Sequence, residues 1–258
     1  DLHSFPTRRS SDLEPGVATS AIEGEQFDPN ALRSSLSRRL GLSTTGLPVP
    51  PRSVEGLVDV LLDATQSYQK PVTLKRICSW QAALFPTGRS GLREIRAGRF
   101  RGEEPMQIVS GPIGRERVHY EAPPGATLNH EMKCFLAWFN SPPEVLDGLV
   151  RAGLAHAWFE LIHPFEDGNG RVGRAILDRA LAQDERRAIR LYSMSARLMA
   201  VRGDYYDALG QLSRGGLDVG DWLSWFLGQF EAAVRASEQT VGSGSRSEER
   251  RVGKECRS

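Results

Sequence analysis

Cysteine is scarce in this chain, with three residues among 258, at positions 78, 134 and 256. Cysteines so few and so scattered exclude a disulfide framework and a cysteine-based zinc site. A reducing compartment suits such a sequence, and the cytoplasm is therefore the predicted location.

Long apolar runs and an excess of charge of one sign are also absent. Nowhere do about eighteen apolar residues follow one another, and the beginning of the chain lacks the apolar segment of a signal peptide. Lys and Arg number 33 against 32 Asp and Glu, so the formal net charge is +1. The composition predicts a soluble globular protein whose partners include neither nucleic acid nor a membrane.

The two ends of the chain differ from the rest. Residues 1–13 contain HSFPTRRSSDL and residues 246–258 read RSEERRVGKECRS, and both resemble translations of a sequencing-adapter oligonucleotide. We expect these tails to be non-native, or otherwise polar and disordered, and we exclude them from reasoning about the fold. The native part then runs from about Glu14 to Ser245.

Between the tails, the start and stop signals are mostly those of helices. Asp28 is a predicted N-cap with proline after it, and Gly41 is a predicted stop. Ser53 and Thr73 are predicted to cap the next two helices. The intervening STTGLPVPPRS reads as a linker, because its prolines and glycine interrupt a helical backbone.

Helical periodicity continues through the second half of the chain. From Pro143 to Ile162 apolar residues recur every three to four positions, beginning with Val145. Further helices are predicted at residues 129–140, 170–183, 195–212 and 219–236. Only residues 106–120 read as strand, with two extended segments around the turn residues Gly111, Pro112 and Gly114. The predicted fold class is an all-α bundle with one β-hairpin.

The stretch HPFEDGNGRVGR, residues 163–174, contains three glycines with the spacing G-x-G-x-x-G. A dinucleotide-binding turn requires a strand before the first glycine, whereas a helix precedes it here, and no P-loop Gly-Lys-Ser/Thr follows. What remains is a helix stop, a polar loop and a helix N-terminus, which together can bind an anion. Gly168 and Gly170 let a phosphate approach the backbone, while Arg171 and Arg174 share one face and suit phosphate binding.

Further side chains near these glycines bear on the chemistry. Glu166 and Asp167 in the same loop suggest a divalent metal, because phosphates with one nearby carboxylate suit Mg²⁺. His163, just upstream, is a candidate general base for an incoming hydroxyl. His156, seven residues earlier, is interpreted as a core histidine rather than as a second base.

The stretch HPFEDGNGRVGR resembles the Fic-family motif, H-P-F-x-[DE]-G-N-G-R-x-x-R, without a departure, and the resemblance extends to residues 19–42 and 106–124. It implies a Fic-fold helical bundle whose hairpin is a flap. It also implies an enzyme that transfers AMP from ATP, with Mg²⁺, to a Tyr, Thr or Ser hydroxyl of a target protein. The implied organisation is an N-terminal inhibitory helix region, a linker and a Fic domain, at residues 14–43, 44–56 and 57–240.

The resemblance implies a role for most positions of the motif. His163 is the implied base and Asp167 the implied magnesium ligand, whereas Glu166 falls at a variable position and receives no role. The phosphate-binding positions are Gly168, Asn169 and Gly170 in the loop, with Arg171 and Arg174 for the outer phosphates. The related Doc-type kinase motif has Ala in place of Gly168 and Lys in place of Gly170, which favours adenylyl over phosphoryl transfer.

Outside the motif, the stretch TSAIEG resembles the family's inhibitory pattern [ST]-x-x-x-E-[GN]. This implies that Glu23 pairs with Arg174 and displaces the γ-phosphate of ATP. Tyr205 and Tyr206 match a tyrosine pair that contacts the nucleotide in similar proteins, although aromatics at helical spacing are equally typical of a core.

The hairpin residues Val118, His119 and Tyr120 are implied to hold the target's modified segment by β-pairing; the alternative is a hairpin that only covers the bundle. Other functions remain open: a different nucleotidyl or phosphoryl transfer, removal of AMP, or a non-catalytic module that binds peptides. Self-modification and a homodimer are further expectations that the sequence leaves open.

Overall fold

The structure is a computed structural model that describes residues 15–110, 117–214, 216 and 218–255, with positions 108–110, 117, 119 and 240–255 described by their backbone alone. Helices dominate this part of the chain, so the predicted all-α class is confirmed. Among the described residues, no helix is long and apolar enough to cross a membrane.

Ten helices follow one another in the described part of the chain. They are α1 (15–22), α2 (Pro29–Arg39), α3 (Arg52–Gln66), α4 (Leu74–Leu84), α5 (Leu128–Asn140), α6 (Gly148–Ile162), α7 (Asn169–Glu185), α8 (Met194–Ala200), α9 (Arg202–Arg214) and α10 (Gly220–Glu255). A short 3₁₀ turn, Gly125–Thr127, precedes α5. The backbone of α10 continues into residues 246–255, which belong to the C-terminal tail that was excluded from reasoning about the fold.

Two predicted helix starts are confirmed and one is wrong. Asp28 accepts a hydrogen bond of 2.9 Å from the first turn of α2, and Thr73 accepts one of 3.2 Å from the first turn of α4. Helix α3, in contrast, begins at Arg52 without a side-chain cap, so the predicted Ser53 cap is wrong. Residues 52–56 of the predicted linker are accordingly helical.

Helix α6 begins later than its apolar periodicity predicts. Asp147 accepts two backbone hydrogen bonds of 2.9 and 3.1 Å from the first turn, and this cap fixes the start at Gly148 rather than at Pro143. Val145, which the periodicity included in the buried face, is 97% exposed. The single helix predicted over residues 195–212 is two helices, because the backbone between α8 and α9 leaves the helical region.

The strands form two small antiparallel pairs. Strand β1 (Arg89–Ser90) pairs with β2 (Arg93–Glu94), a ladder too short for the sequence pattern to predict. Strand β3 (Gln107–Ser110) pairs with β4 (Arg117–Glu121), and the register skips one residue of β4, which forms a bulge. The predicted hairpin strands are confirmed; the turn residues Gly111, Pro112 and Gly114 lie outside the described residues.

Helices α6 and α7 form the centre of the fold. They pack against each other, with α3 against α7 and with α5 and α10 against α6, while β4 lies against α9. Most of α7 is buried from its first turn onward, including its two motif arginines. The loop between α6 and α7 is therefore anchored at both ends in the buried centre of the fold.

Candidate active site

The loop between α6 and α7 begins with an unusual backbone conformation. His163 ends α6 with a left-handed φ of 47°, a region in which histidine is found more often than most side chains. Gly168 precedes α7 with a φ of 88°, and a Cβ there would lie 2.8 Å from the ring of Phe85. Both the backbone conformation and the space at position 168 therefore require glycine.

The side chain of Asn169 holds this loop closed. Its Oδ1 accepts a hydrogen bond of 2.9 Å from the backbone N–H of Phe165, and its Nδ2 donates one of 2.8 Å to the carbonyl of the same residue. Phe165 itself is fully buried and so anchors the loop in the core. The amide of Asn169 thus shapes the loop, and the groups left to meet a phosphate are backbone N–H groups of the first turn of α7.

His163 is held in the form that can accept a proton. Its Nδ1 lies 3.2 Å from the carbonyl oxygen of Glu160. Because a carbonyl oxygen only accepts hydrogen bonds, Nδ1 carries the proton and Nε2 keeps its lone pair. Burial lowers the pKa of His163 to about 4, so the ring is neutral at physiological pH.

Three buried or half-buried side chains that the sequence did not single out support the loop from the other side. Arg101 donates a 2.9 Å hydrogen bond to the carbonyl oxygen of His163, and Gln81 donates one of 3.1 Å to the carbonyl oxygen of Asp167. Ser90 donates to the Asp167 carboxylate. These contacts join positions more than sixty residues apart, so no local sequence pattern could have indicated them.

The second motif arginine, Arg174, is bound by the N-terminal helix. Its Nε donates to the hydroxyl of Thr19 at 2.6 Å, and one terminal nitrogen donates to the Glu23 carboxylate at 2.7 Å. Burial raises the pKa of Glu23, but the charge and hydrogen bond of Arg174 outweigh this effect and leave the pKa below its usual value. The glutamate is therefore ionised beside a guanidinium that is almost completely enclosed.

The first motif arginine, Arg171, also faces a carboxylate. Its guanidinium lies 2.8 Å from Glu25, 3.8 Å from Asp167 and 4.8 Å above the ring of Phe85. The Arg171 side chain is 4% exposed, and its Nε has no hydrogen-bond partner among the described residues. Glu25 was not singled out from the sequence, because a lone glutamate directly after the inhibitory pattern carries no signal of its own.

The remaining glycines of the motif serve two different purposes. A Cβ at Gly170 would lie 2.1 Å from the Glu23 carboxylate, so this glycine lets an anionic group approach the helix N-terminus closely. A Cβ at Gly173 would instead lie 2.3 Å from the carboxyl of Glu160 and 3.3 Å from the ring of Phe159. Gly173 thus permits the close packing of α7 on α6, and it is not part of the anion site.

Replacing Gly173 with alanine is expected to lower the free energy of unfolding by about 1–3 kcal/mol, because the added methyl group overpacks a buried contact. Denaturant titration measures this change. Gly228→Ala is the matched control: it lies inside α10 with no atom within 4 Å of its Cβ position, so alanine there should stabilise by about 0.5–1 kcal/mol. Equal stability of Gly173→Ala and the parent would contradict the packing role.

Glu160 is a buried acid beside the two central charges. Burial raises its pKa to about 8, Arg174 acts in the opposite direction, and the charge of Glu23 raises it further. Its Oε1 has no hydrogen-bond partner among the described residues. At neutral pH Glu160 is therefore protonated and uncharged. The negative charge that neutralises Arg174 then comes from Glu23.

Tyr205 and Tyr206 lie on the walls of one cleft of about 460 Å³, which His163, Glu23 and Arg174 also line. Tyr205 is almost wholly buried, and its hydroxyl lies 2.8 Å from Nε2 of His156, a fully buried core histidine as interpreted. Tyr206 is half-buried at the cleft. Tyr206 therefore offers more surface to a ligand than Tyr205 does.

The hairpin contributes one of its three predicted residues to this cleft. Tyr120 lines it together with Met106 and Gln107 of the opposite strand region. Val118 is exposed, and the side chain of His119 lies outside the described residues.

Fold and site together define a class of protein: a helical bundle in which a neutral histidine and the start of a buried helix line one cleft. Residues 71–181 match the Fic/DOC family. The chain is similar in structure to a Fic family protein from Desulfovibrio desulfuricans, with a TM-score of 0.65 and 23% identity over 92% of this chain and 67% of that one. Fic-1 of C. elegans gives a TM-score of 0.62 at 19% identity, over 95% and 68% of the two chains.

Residues 71–181 of this chain are a Fic domain, and the predicted Fic fold is confirmed. Among sequence relatives, a probable protein adenylyltransferase of Aquifex aeolicus is 32% identical over 65 residues, which cover 25% of this chain and 20% of the relative. The protein adenylyltransferase Fic of Nematostella vectensis is 29% identical over 148 residues, which cover 57% of this chain and 29% of the relative. The chain therefore spans less than a third of the length of either relative.

Proposed function

We propose that this chain transfers AMP from ATP to a Tyr, Thr or Ser hydroxyl of a target protein, in the cytoplasm, and that Glu23 restrains the reaction. The observation that carries the proposal is that one cleft is lined by a neutral histidine with an available lone pair and, from the first turns of α7, by Gly170 and Arg174. The names of the two adenylyltransferase relatives support the same activity.

In the proposed reaction the target hydroxyl oxygen attacks the α-phosphorus of ATP. The new P–O bond forms as the bond to the bridging oxygen of the β-phosphate breaks, so pyrophosphate leaves with that electron pair. Nε2 of His163 takes the proton of the hydroxyl. Arg171, Arg174 and the backbone N–H groups at the start of α7 hold the phosphates and stabilise the developing negative charge.

Asp167 is the residue that would hold Mg²⁺. Its side chain is 38% exposed and lines the cleft, and one carboxylate is enough because magnesium in such sites takes its remaining ligands from phosphates and water. Among the described residues there is no cluster of three or more His, Cys, Asp or Glu side chains that could hold a metal ion by themselves. Bound there, the ion would neutralise phosphate charge.

The hairpin is proposed to hold the segment of the target that is modified. Strand β4 carries Tyr120 at the cleft, and the paired strand β3 begins beside it at Gln107. An extended segment that pairs with the hairpin would pass the mouth of the cleft that contains His163. Self-modification of this chain would follow the same chemistry.

Incubation with ATP labelled at the α- or the γ-phosphate tests the activity. With a cell extract as the source of targets, we expect protein label from the α position and none from the γ position. Label from γ alone would indicate a kinase. If neither the parent nor Glu23→Gly transferred label from either position, the remaining candidate functions would be removal of AMP and non-catalytic binding.

Replacing Asp167 with alanine is expected to raise the magnesium concentration needed for half-maximal AMP transfer, because the loop loses its one proposed carboxylate ligand. A magnesium titration of Glu23→Gly and Glu23→Gly/Asp167→Ala measures the shift. Glu166→Gln is the matched control, since this neighbouring carboxylate pairs with Arg93 and Arg96 instead. Superimposable titration curves would mean that the nucleotide alone holds the metal.

A further inference from the structure

The turn after α1 directs two carboxylates toward one helix N-terminus. Gly24 has a left-handed φ of 82° with no atom within 4 Å of its Cβ position, so the backbone conformation rather than space requires glycine. The N–H groups of Glu23 and Glu25 both bond to the carbonyl of Ser20, at 3.1 and 3.0 Å. This compact turn holds the two glutamates on either side of Gly24.

Each of these glutamates meets a different arginine of α7. Glu23 lies 2.7 Å from Arg174, and Glu25 lies 2.8 Å from Arg171. The two arginines are three positions apart, one turn of the helix, and both side chains are less than 5% exposed. Two carboxylates therefore neutralise two nearly enclosed guanidinium groups at a site that suits two phosphates.

We propose that Glu25 is a second inhibitory carboxylate, which occupies Arg171 as Glu23 occupies Arg174, so that residues 23–25 take the place of a diphosphate. The proposal rests on the proposed function, in which both arginines hold phosphates of ATP. It extends that function to a residue outside the inhibitory pattern TSAIEG.

The environment of Arg171 makes Glu25 a direct competitor of a phosphate. The ring of Phe85 covers one side of the guanidinium, and Arg171 itself is buried in the first turn of α7. An anionic ligand that binds this guanidinium must displace the Glu25 carboxylate or share the guanidinium with it. Glu25 is 39% exposed, so it can move into solvent more readily than Glu23, which is 27% exposed. Its removal should therefore have the smaller effect of the two.

Binding of inorganic pyrophosphate in metal-free buffer, measured by calorimetry, tests the proposal without requiring any catalysis. We expect Glu25→Gln to lower the dissociation constant about 5- to 20-fold, at the lower end of typical coupling between sites. Glu144→Gln removes the same charge from the exposed loop before α6, and its dissociation constant for pyrophosphate should stay within about twofold of that of the parent. That loop lies at the opposite end of α7, because Gly148 after it packs against Asp184.

Two double variants separate direct action from indirect action. In an Arg171→Ala background, Glu25→Gln should no longer tighten pyrophosphate binding. In a Glu23→Gly background it should still do so by a similar factor, because the two glutamates act on different arginines. The proposal would be overturned if Glu25→Gln bound pyrophosphate only as tightly as the parent. It would also be overturned if the tighter binding persisted in the Arg171→Ala background or vanished in the Glu23→Gly background. Tighter pyrophosphate binding without any α-label would uphold it and reject AMP transfer.

Discussion

Replacement of His163 by alanine is expected to reduce AMP transfer by about 10²–10⁴-fold, the usual contribution of a positioned general base. The expectation follows from the geometry of the ring. The carbonyl of Glu160 fixes the proton on Nδ1, and burial keeps the ring neutral, so Nε2 accepts a proton at physiological pH. Without the imidazole, the attacking hydroxyl has no proton acceptor held in place.

The measurement is labelling from α-labelled ATP in the activated background Glu23→Gly, alongside calorimetric binding of ATP. Alanine at a left-handed backbone position costs about 1 kcal/mol, so His163→Asn is a second variant that tolerates this conformation and still cannot act as a base. His130→Ala, an exposed histidine on α5, is the control and should label as its background does. Activity of both His163 variants within about twofold of that background would remove the residue from the mechanism.

The parts of this molecule that sequence could predict are those determined by neighbouring residues. Asp28 and Thr73 begin helices because their side chains satisfy N–H groups two or three positions later. The glycine-rich loop and the helix after it were predictable for the same reason. The start of α6 was not predictable. Apolar residues such as Val145 continue the helical period before Asp147, whereas the helix begins only after this N-cap residue.

What sequence could not predict are contacts between distant segments. Arg101 supports the backbone of His163 from 62 positions away, and Glu25 reaches Arg171 across 146. Asn169 was predicted as a phosphate-binding position of the loop, and the sequence did not indicate that its side-chain amide bonds the backbone of Phe165. A motif names the residue types that a site requires, but whether a polar group meets the ligand or the loop itself depends on the folded geometry.

The largest gain is expected from Glu23→Gly. The Glu23 carboxylate lies 2.7 Å from Arg174 and within 2.1 Å of the position that a Cβ on Gly170 would occupy. A phosphate bound at this helix N-terminus needs the same guanidinium and the same open space, so carboxylate and γ-phosphate exclude each other. ATP that binds beside Glu23 would have its α-phosphate turned away from His163.

Glu23→Gly should therefore raise α-label incorporation beyond the roughly 5- to 150-fold of a typical coupling, because it restores both the affinity and the orientation of ATP. Arg174→Ala should not mimic this activation, since it removes the phosphate ligand together with the partner of Glu23. The double variant should resemble Arg174→Ala for the same reason. Equal labelling of Glu23→Gly and the parent, with none in His163→Ala, would leave the active site intact and reject the inhibitory role of Glu23. The activation depends on the lost charge rather than on a loosened α1, so Glu23→Gln should reproduce most of it while Thr19 still holds Arg174.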